Sequence, residues 1–292
     1  QWKIKEKISS IKQVPVSNIF LGNGSDEPID LLYRCFCEPG MDVVILFPPT
    51  YGMYEVSANI NNIACNRVPL TPEFQLDLEA LEMAIKPNTK IIWICSPNNP
   101  TGNSIDRQDI EMVLNNFDGL VVVDEAYINF SRQKSLVSDL AEYPNLVVLQ
   151  TLSKAWGLAG LRVGMAFASE EIVGYLNKVK PPYNISEPVQ ELALKALDEI
   201  GQVNDMILQL VNARKQLELD FVKSSQVVKV YPSDANFLLV EFTQARAMYD
   251  YLVSKGIVVR DRSNVLLCDN CLRITVGTDV ENLKLVDAIN SF

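Results

Sequence analysis

Four polar side chains stand just beyond apolar runs, and their types point to one chemistry. Lys154 follows NLVVLQ (145–150), Asp124 closes GLVVVD (119–124), Asn99 sits in SPNNPTG behind KIIWIC (90–95), and Tyr51 sits in PPTYG behind DVVILF (42–47). An amine held in apolar surroundings loses proton affinity and becomes a nucleophile that condenses with aldehydes. A carboxylate at the end of a dry strand is costly unless a cation pairs with it. Asparagine and tyrosine can both hydrogen-bond a phenolic oxygen. Singly the residues say less. Asp124 reads equally as a structural ion pair or a helix N-cap, and Lys154 as a solvated surface charge.

Together these needs match pyridoxal 5'-phosphate, which requires a Schiff-base lysine and an acidic partner at its ring nitrogen. Its phosphate requires an anion cradle. GNGSDEPIDLL (22–32) offers one: glycines, then Ser25 and Asp26, then a helical apolar pattern whose first N–H groups are free to bind an anion. The same residues also read as an ordinary capped helix. They form neither a Rossmann fingerprint nor a Walker loop, because Glu27 stands where a third glycine belongs and no GK[ST] follows. Ser153 and Arg162, flanking Lys154, add further donors.

The apolar runs must position these groups. Each is apolar on consecutive positions, which predicts strands buried on both faces of a parallel sheet. LDLEALEMAI (76–85) and IDRQDIEMVLNN (105–116) carry apolar residues at helical spacing between them, so the first part reads as α/β. Ligands of such sheets sit beyond the carboxyl ends of the strands, where all four polar groups fall. After about residue 185 the texture changes. Residues 186–223 read as helical, and VVKVYP, NFLLVEF, GIVVR and CLRITVG as short strands, the outline of a smaller α+β domain. The expected division is 1–185 and 186–292, with a hinge at Pro181 and Pro182.

Composition closes other routes. The 292 residues carry a formal charge of -10 and no run of lysines or arginines, which disfavours nucleic acid and anionic membranes. No apolar stretch approaches the roughly 18 residues of a membrane span, and QWKIKEKISS lacks a signal-peptide core, so a soluble, cytoplasmic protein is expected. There is no histidine, which removes Ser-His-Asp and Cys-His catalysis and every His-ligated metal site. One CxxC, at Cys268 and Cys271, lacks the partners of a zinc site, so the six cysteines read as reduced thiols and no metal is expected. Proton transfer is left to Lys, Tyr, Asp, Glu or a cofactor.

SPNNPTG, VVVDEAYINF, TLSKAWGLAGLRVG and CLRITVG, in this order, resemble the pyridoxal-phosphate aminotransferases of fold type I, and within them the histidinol-phosphate aminotransferase family. The resemblance extends over CEPGMDVVILFPPTYGMY (37–54) and KGIVVRD (255–261), essentially the whole chain. It implies a large domain with a mostly parallel sheet covered by helices, a smaller α+β domain, and a homodimer acting on small molecules. It implies transamination between glutamate and imidazole acetol phosphate; the alternatives are an aromatic or broad aminotransferase and a threonine-phosphate decarboxylase. By position, Lys154 would be the Schiff-base lysine and Asp124 the partner of the ring nitrogen. Asn99 and Tyr127 would bond the ring oxygen, and Tyr51 would stack on the ring. The main chain at Ser25 and Asp26, with Ser153 and Arg162, would hold the phosphate. Arg273 would bind the substrate carboxylate, joined by Arg260 for the substrate phosphate. The family also implies an amino-terminal arm, whereas QWKIKEKISS is expected to lie already in the large domain's first helix.

Overall fold

The strands form where β-branched residues run together, and their side chains alternate between two separate cores. In the computed structural model, which describes residues Gln1–Phe292, seven strands build the larger sheet: β1 (Ile19–Asn23), β2 (Val43–Leu46), β3 (Ala64–Arg67), β4 (Thr89–Cys95), β5 (Leu120–Asp124), β6 (Leu146–Thr151) and β7 (Val163–Phe167). Their spatial order is β1-β7-β6-β5-β4-β2-β3. Pairing is parallel from β3 through β6, and β7 runs antiparallel to both β6 and β1. The sheet is therefore mostly parallel, as its consecutive apolar runs predict.

Seven helices accompany it: α1 (Trp2–Lys12), α2 (Asp26–Phe36), α3 (Met53–Ile60), α4 (Leu78–Ala84), α5 (Arg107–Asn116), α6 (Glu170–Val179) and α7 (Glu187–Asp198). Ile92, Ile94, Val121, Val123 and Val148 turn to one face, into a core shared with Ile4 and Ile8 of α1 and with Ile110 and Leu114 of α5. Ile91, Trp93, Val122, Val147 and Leu149 turn to the other face, against Ile29 and Leu32 of α2, Ala58 of α3 and Leu176 of α6. The period of two thus loads both faces, and each fully buried aliphatic side chain contributes about 1.5–3 kcal/mol. With the strands held this way, only their ends are free to present polar groups.

A second sheet, β10-β11-β9-β8, is antiparallel throughout and contains β8 (Val227–Val230), β9 (Phe237–Phe242), β10 (Arg260–Asp261) and β11 (Cys271–Thr275). It packs with α8 (Ile200–Phe221), α9 (Ala245–Ser254) and α10 (Asp279–Asn290). Leu238, Val240, Leu272 and Ile274 face these helices, so the intervening Phe237, Leu239, Cys271 and Arg273 face the other way, toward the larger sheet. GIVVR, read as a strand from sequence, is extended in the ladder only from Arg260. Gly256 takes a left-handed turn (φ +73), and the Ile257 amide still bonds back to the Leu252 carbonyl of α9. The helical stretch 186–223 is two helices, parted at Glu199. The first packs on α1 and sends Ala193 and Leu197 into the larger sheet's core.

Candidate active site

Lys154 and Asp124 lie in the wall of one cleft of about 650 Å³ at the carboxyl ends of β4, β5 and β6. The remaining nine residues singled out in the sequence, Ser25, Asp26, Tyr51, Asn99, Tyr127, Ser153, Arg162, Arg260 and Arg273, line the same cleft. The placement follows from chain direction. Parallel strands deliver their following loops to one edge, and the antiparallel turn into β7 brings Arg162 back beside the loop after β1. The Gly24 amide donates to the Arg162 carbonyl at 2.7 Å, which ties the two loops together. Gly24 is left-handed there (φ +73), and a β-carbon on it would both strain that backbone and displace the Arg162 guanidinium, so glycine is favoured.

Asp124 is the last residue of β5 and only 3% exposed. Tyr54 Oη donates to its Oδ2 at 2.7 Å, and the Ala126 amide donates to Oδ1 at 3.0 Å. Burial pushes the carboxyl above its ordinary range; these two donors and the charge of Lys154 pull it back. Both hydrogen-bond partners are neutral, so the cation that a buried carboxylate requires does not come from a protein side chain bonded to it. A planar heterocycle with a protonated nitrogen fits that requirement.

Lys154 departs from the environment expected of it. Instead of apolar enclosure, its side chain opens into the cleft, with Nζ 5.2 Å from the centre of the Tyr127 ring. Its proton affinity is lowered all the same, first by partial burial and then by the positive charges of Arg273 and Arg162, against the opposing pull of Asp124 and Asp26. The expected outcome, a more readily freed amine, is reached by a different cause.

The cleft carries five cationic side chains, Lys154, Arg162, Arg260, Arg262 and Arg273, against two carboxylates, Asp26 and Asp124. In a chain of formal charge -10 this concentrates positive potential where an anionic ligand would enter. At the α2 end, the Asp26 carboxylate accepts from Tyr51 Oη at 3.1 Å and from Arg162 Nη2 at 3.3 Å. Thr151 Oγ1 accepts from the Ser153 amide at 3.0 Å and lies 2.9 Å from Ser153 Oγ. Across the cleft, Arg273 Nη1 donates to Asn99 Oδ1 at 2.5 Å, and the guanidinium carbon lies 4.9 Å from the centre of the Phe237 ring. The set provides an amine, a buried carboxylate, hydroxyl and amide groups near a helix N-terminus, and arginines on the opposite wall. It can hold a flat cationic ring with a phosphate arm and a second, anionic reactant.

Two residues of the site were not singled out in the sequence. Tyr54 lies three residues after Tyr51 on α3, stacked on Trp93 with ring centres 5.0 Å apart, and reaches Asp124 from below. Arg262 follows Arg260 by two, the spacing that keeps an extended chain on one face. All six cysteines are free thiols; Cys95, at the cleft floor, is pushed up to about 12 by burial.

The chain belongs to the aminotransferase class I and II family, whose model matches residues 3–289. Among its relatives is a histidinol-phosphate aminotransferase of Parabacteroides distasonis, 53% identical over 291 residues, covering 100% of this chain and 84% of that protein. In fold it is similar to the crystal structure of the histidinol-phosphate aminotransferase from Clostridium acetobutylicum, with a TM-score of 0.91 at 23% identity over 99% of this chain and 87% of that one. It is also similar to the enzyme from Sinorhizobium meliloti in complex with pyridoxal-5'-phosphate, with a TM-score of 0.90 at 24% identity over 99% of this chain and 80% of that one.

Proposed function

We propose that the protein is a pyridoxal-phosphate-dependent transaminase that exchanges an amino group between L-glutamate and imidazole acetol phosphate, yielding 2-oxoglutarate and L-histidinol phosphate for histidine biosynthesis. The observation that carries the proposal is Asp124, a buried carboxylate whose hydrogen-bond partners are neutral, in the wall of a cleft that also holds Lys154. The 53% identity to a relative of that name supports the choice of substrates.

Bound in the cleft, the cofactor supplies an aldehyde for the amine to attack and a ring that takes up the electron pair released at the substrate's Cα. The protein's part is positioning and proton transfer. Lys154 presents an amine that is easily deprotonated and carries the proton from the substrate's Cα. Asp124, kept in place by Tyr54, holds a proton on the ring nitrogen. Asn99 and Tyr127 bond the ring oxygen, and Tyr51 covers the ring. The backbone at Ser25 and Asp26, with Ser153 and Arg162, receives the phosphate at the N-terminus of α2. Arg273 binds the carboxylate of glutamate, and Arg260 joins it for the phosphate ester; bidentate guanidinium geometry suits both anions in turn.

The proposal includes two domains, 1–185 for the cofactor and 186–292 for the substrate's far side, with α7 packed against α1 at their seam. It also includes a homodimer in the cytoplasm. No helix is long and apolar enough to cross a membrane. An amino-acceptor screen on the cofactor-loaded protein tests the reading. Imidazole acetol phosphate should be aminated from glutamate with a kcat/KM at least about tenfold above phenylpyruvate. Equal use of both would favour a broad aminotransferase, and carbon dioxide release from threonine phosphate would favour the decarboxylase.

A further inference from the structure

Arg260 of β10 pairs directly with Arg273 of β11, so two like charges stand opposite each other on the cleft face of the small sheet. Such a pair is destabilising on its own. The ladder continues one step beyond β10, where the Arg262 amide donates to the Cys271 carbonyl at 2.9 Å, so Arg262 emerges on the same face as Arg260, about 6–7 Å further along. All three arginines line the cleft. None takes part in the eleven ion pairs of the chain. The acid between them, Asp261, is taken instead by Arg246 at 3.2 Å. The Nε atoms of Arg262 and Arg273 are both buried without a hydrogen-bond partner. Three guanidinium groups on one wall without a carboxylate partner exceed what one monoanionic carboxylate can satisfy.

We infer that Arg262 acts with Arg260 to separate the two substrates, a third guanidinium that engages the phosphate ester and not the α-carboxylate of glutamate. The inference rests on the transaminase reading. Glutamate carries its α-carboxylate directly on Cα, one charge with two oxygens, which the planar fork of Arg273 can saturate; its γ-carboxylate leaves Cα on the side where histidinol phosphate carries its imidazole. The phosphate ester carries its anion beyond an added methylene and oxygen, with a charge of about -1.5 to -2 and three terminal oxygens. The extra reach, charge and oxygen match the guanidinium groups that stand beyond Arg273. The chemistry of the amino transfer is untouched by this role, because Arg262 holds the far end of the substrate and moves no proton.

Steady-state kinetics of Arg262→Gln and Arg262→Lys on the cofactor-loaded enzyme test the inference, with L-histidinol phosphate and L-glutamate as alternative amino donors. For Arg262→Gln, the KM for L-histidinol phosphate should rise at least about tenfold more than that for glutamate, with kcat for both falling by less than about threefold. Arg262→Lys, which restores the charge without the planar fork, should recover part of that loss. A parallel rise in both KM values, or no change in either, would overturn the role of Arg262. Dephosphorylated histidinol separates the two levels of the argument. If the wild-type enzyme used histidinol as well as its phosphate, the substrate reading itself would be wrong, and the role of Arg262 would go with it.

Discussion

Tyr54 Oη donates a 2.7 Å hydrogen bond to Asp124 Oδ2 from a position where the tyrosine ring is stacked on Trp93 and completely buried. The tyrosine is therefore fixed before any ligand binds, and it orients the carboxylate while opposing the effect of burial on its proton affinity. Tyr54→Phe keeps the stack and removes only the donor. With one partner fewer, Asp124 should hold its proton to higher pH. A carboxyl group that keeps its proton cannot pair with a protonated ring nitrogen, so cofactor binding should weaken by roughly tenfold at neutral pH and its acidic limb should move up. Absorbance titration of the apoprotein with pyridoxal phosphate between pH 5 and pH 8 measures both.

Asp124 also sets function against stability. Its pKa is raised in the fold, so the folded chain binds more protons than the unfolded chain at pH values just above the ordinary aspartate range. Stability from this group falls as pH rises through that interval and stays reduced at neutral pH. Asp124→Asn removes the buried charge, and the rotatable Tyr54 hydroxyl can adapt to the amide. The variant apoprotein should melt at a higher temperature than wild type at pH 7 and at an equal or lower one near pH 3, while its turnover drops at least about 100-fold. Calorimetry at the two pH values, with an activity assay, checks the crossing.

The charge of Arg273 bears on Lys154 directly, since it is the largest electrostatic contribution lowering that lysine's proton affinity. Removing it in Arg273→Ala should return Lys154 toward the ordinary value of 10.5. The rate at which the apoprotein captures the cofactor depends on free amine, so its pH midpoint should shift upward in the variant and capture at pH 7.5 should slow. Stopped-flow absorbance at a series of pH values reads the shift. An unchanged midpoint would mean that the charge of Arg273 does not govern the amine.

Gly164, in β7, faces the loop that carries Gly24 and Ser25 so closely that an added β-carbon would overlap their backbone. Gly164→Ala must push this loop away from Arg162. The sheet register is held by pairing on both sides of β7, so the displacement should fall mainly on the proposed phosphate cradle. The affinity for pyridoxal phosphate should drop at least about tenfold, a loss of about 1.4 kcal/mol, and inorganic phosphate should protect the variant less against thermal unfolding.

Much of this site is legible along the chain because its parts follow strand ends. Asp124 closes the run GLVVVD, and Asn99 and Lys154 stand in the loops just past KIIWIC and NLVVLQ, where side-chain polarity changes abruptly, and parallel strands bring such points to one edge. Tyr54 escapes the same reading because its partner is 70 residues away and the contact depends on how α3 lies on the sheet. Arg262 escapes it because GIVVR looks like a strand that ends at Arg260, whereas the ladder bond to Cys271 carries the extended geometry onward. The antiparallel course of β7 is equally invisible in VGMAF, since full burial on both faces looks alike in either direction. The environment of Lys154 could not be inferred from its apolar neighbours in sequence, because what lowers its proton affinity includes Arg273, which arrives from the other sheet.

The most direct measurement is to reduce the cofactor-loaded protein with borohydride, digest it and locate the bound cofactor by mass spectrometry. A single pyridoxyl-modified residue, Lys154, is expected, with no retained cofactor in Lys154→Ala. Modification of another lysine in the wild-type protein, or retention at wild-type level in the variant, would contradict the role proposed for Lys154.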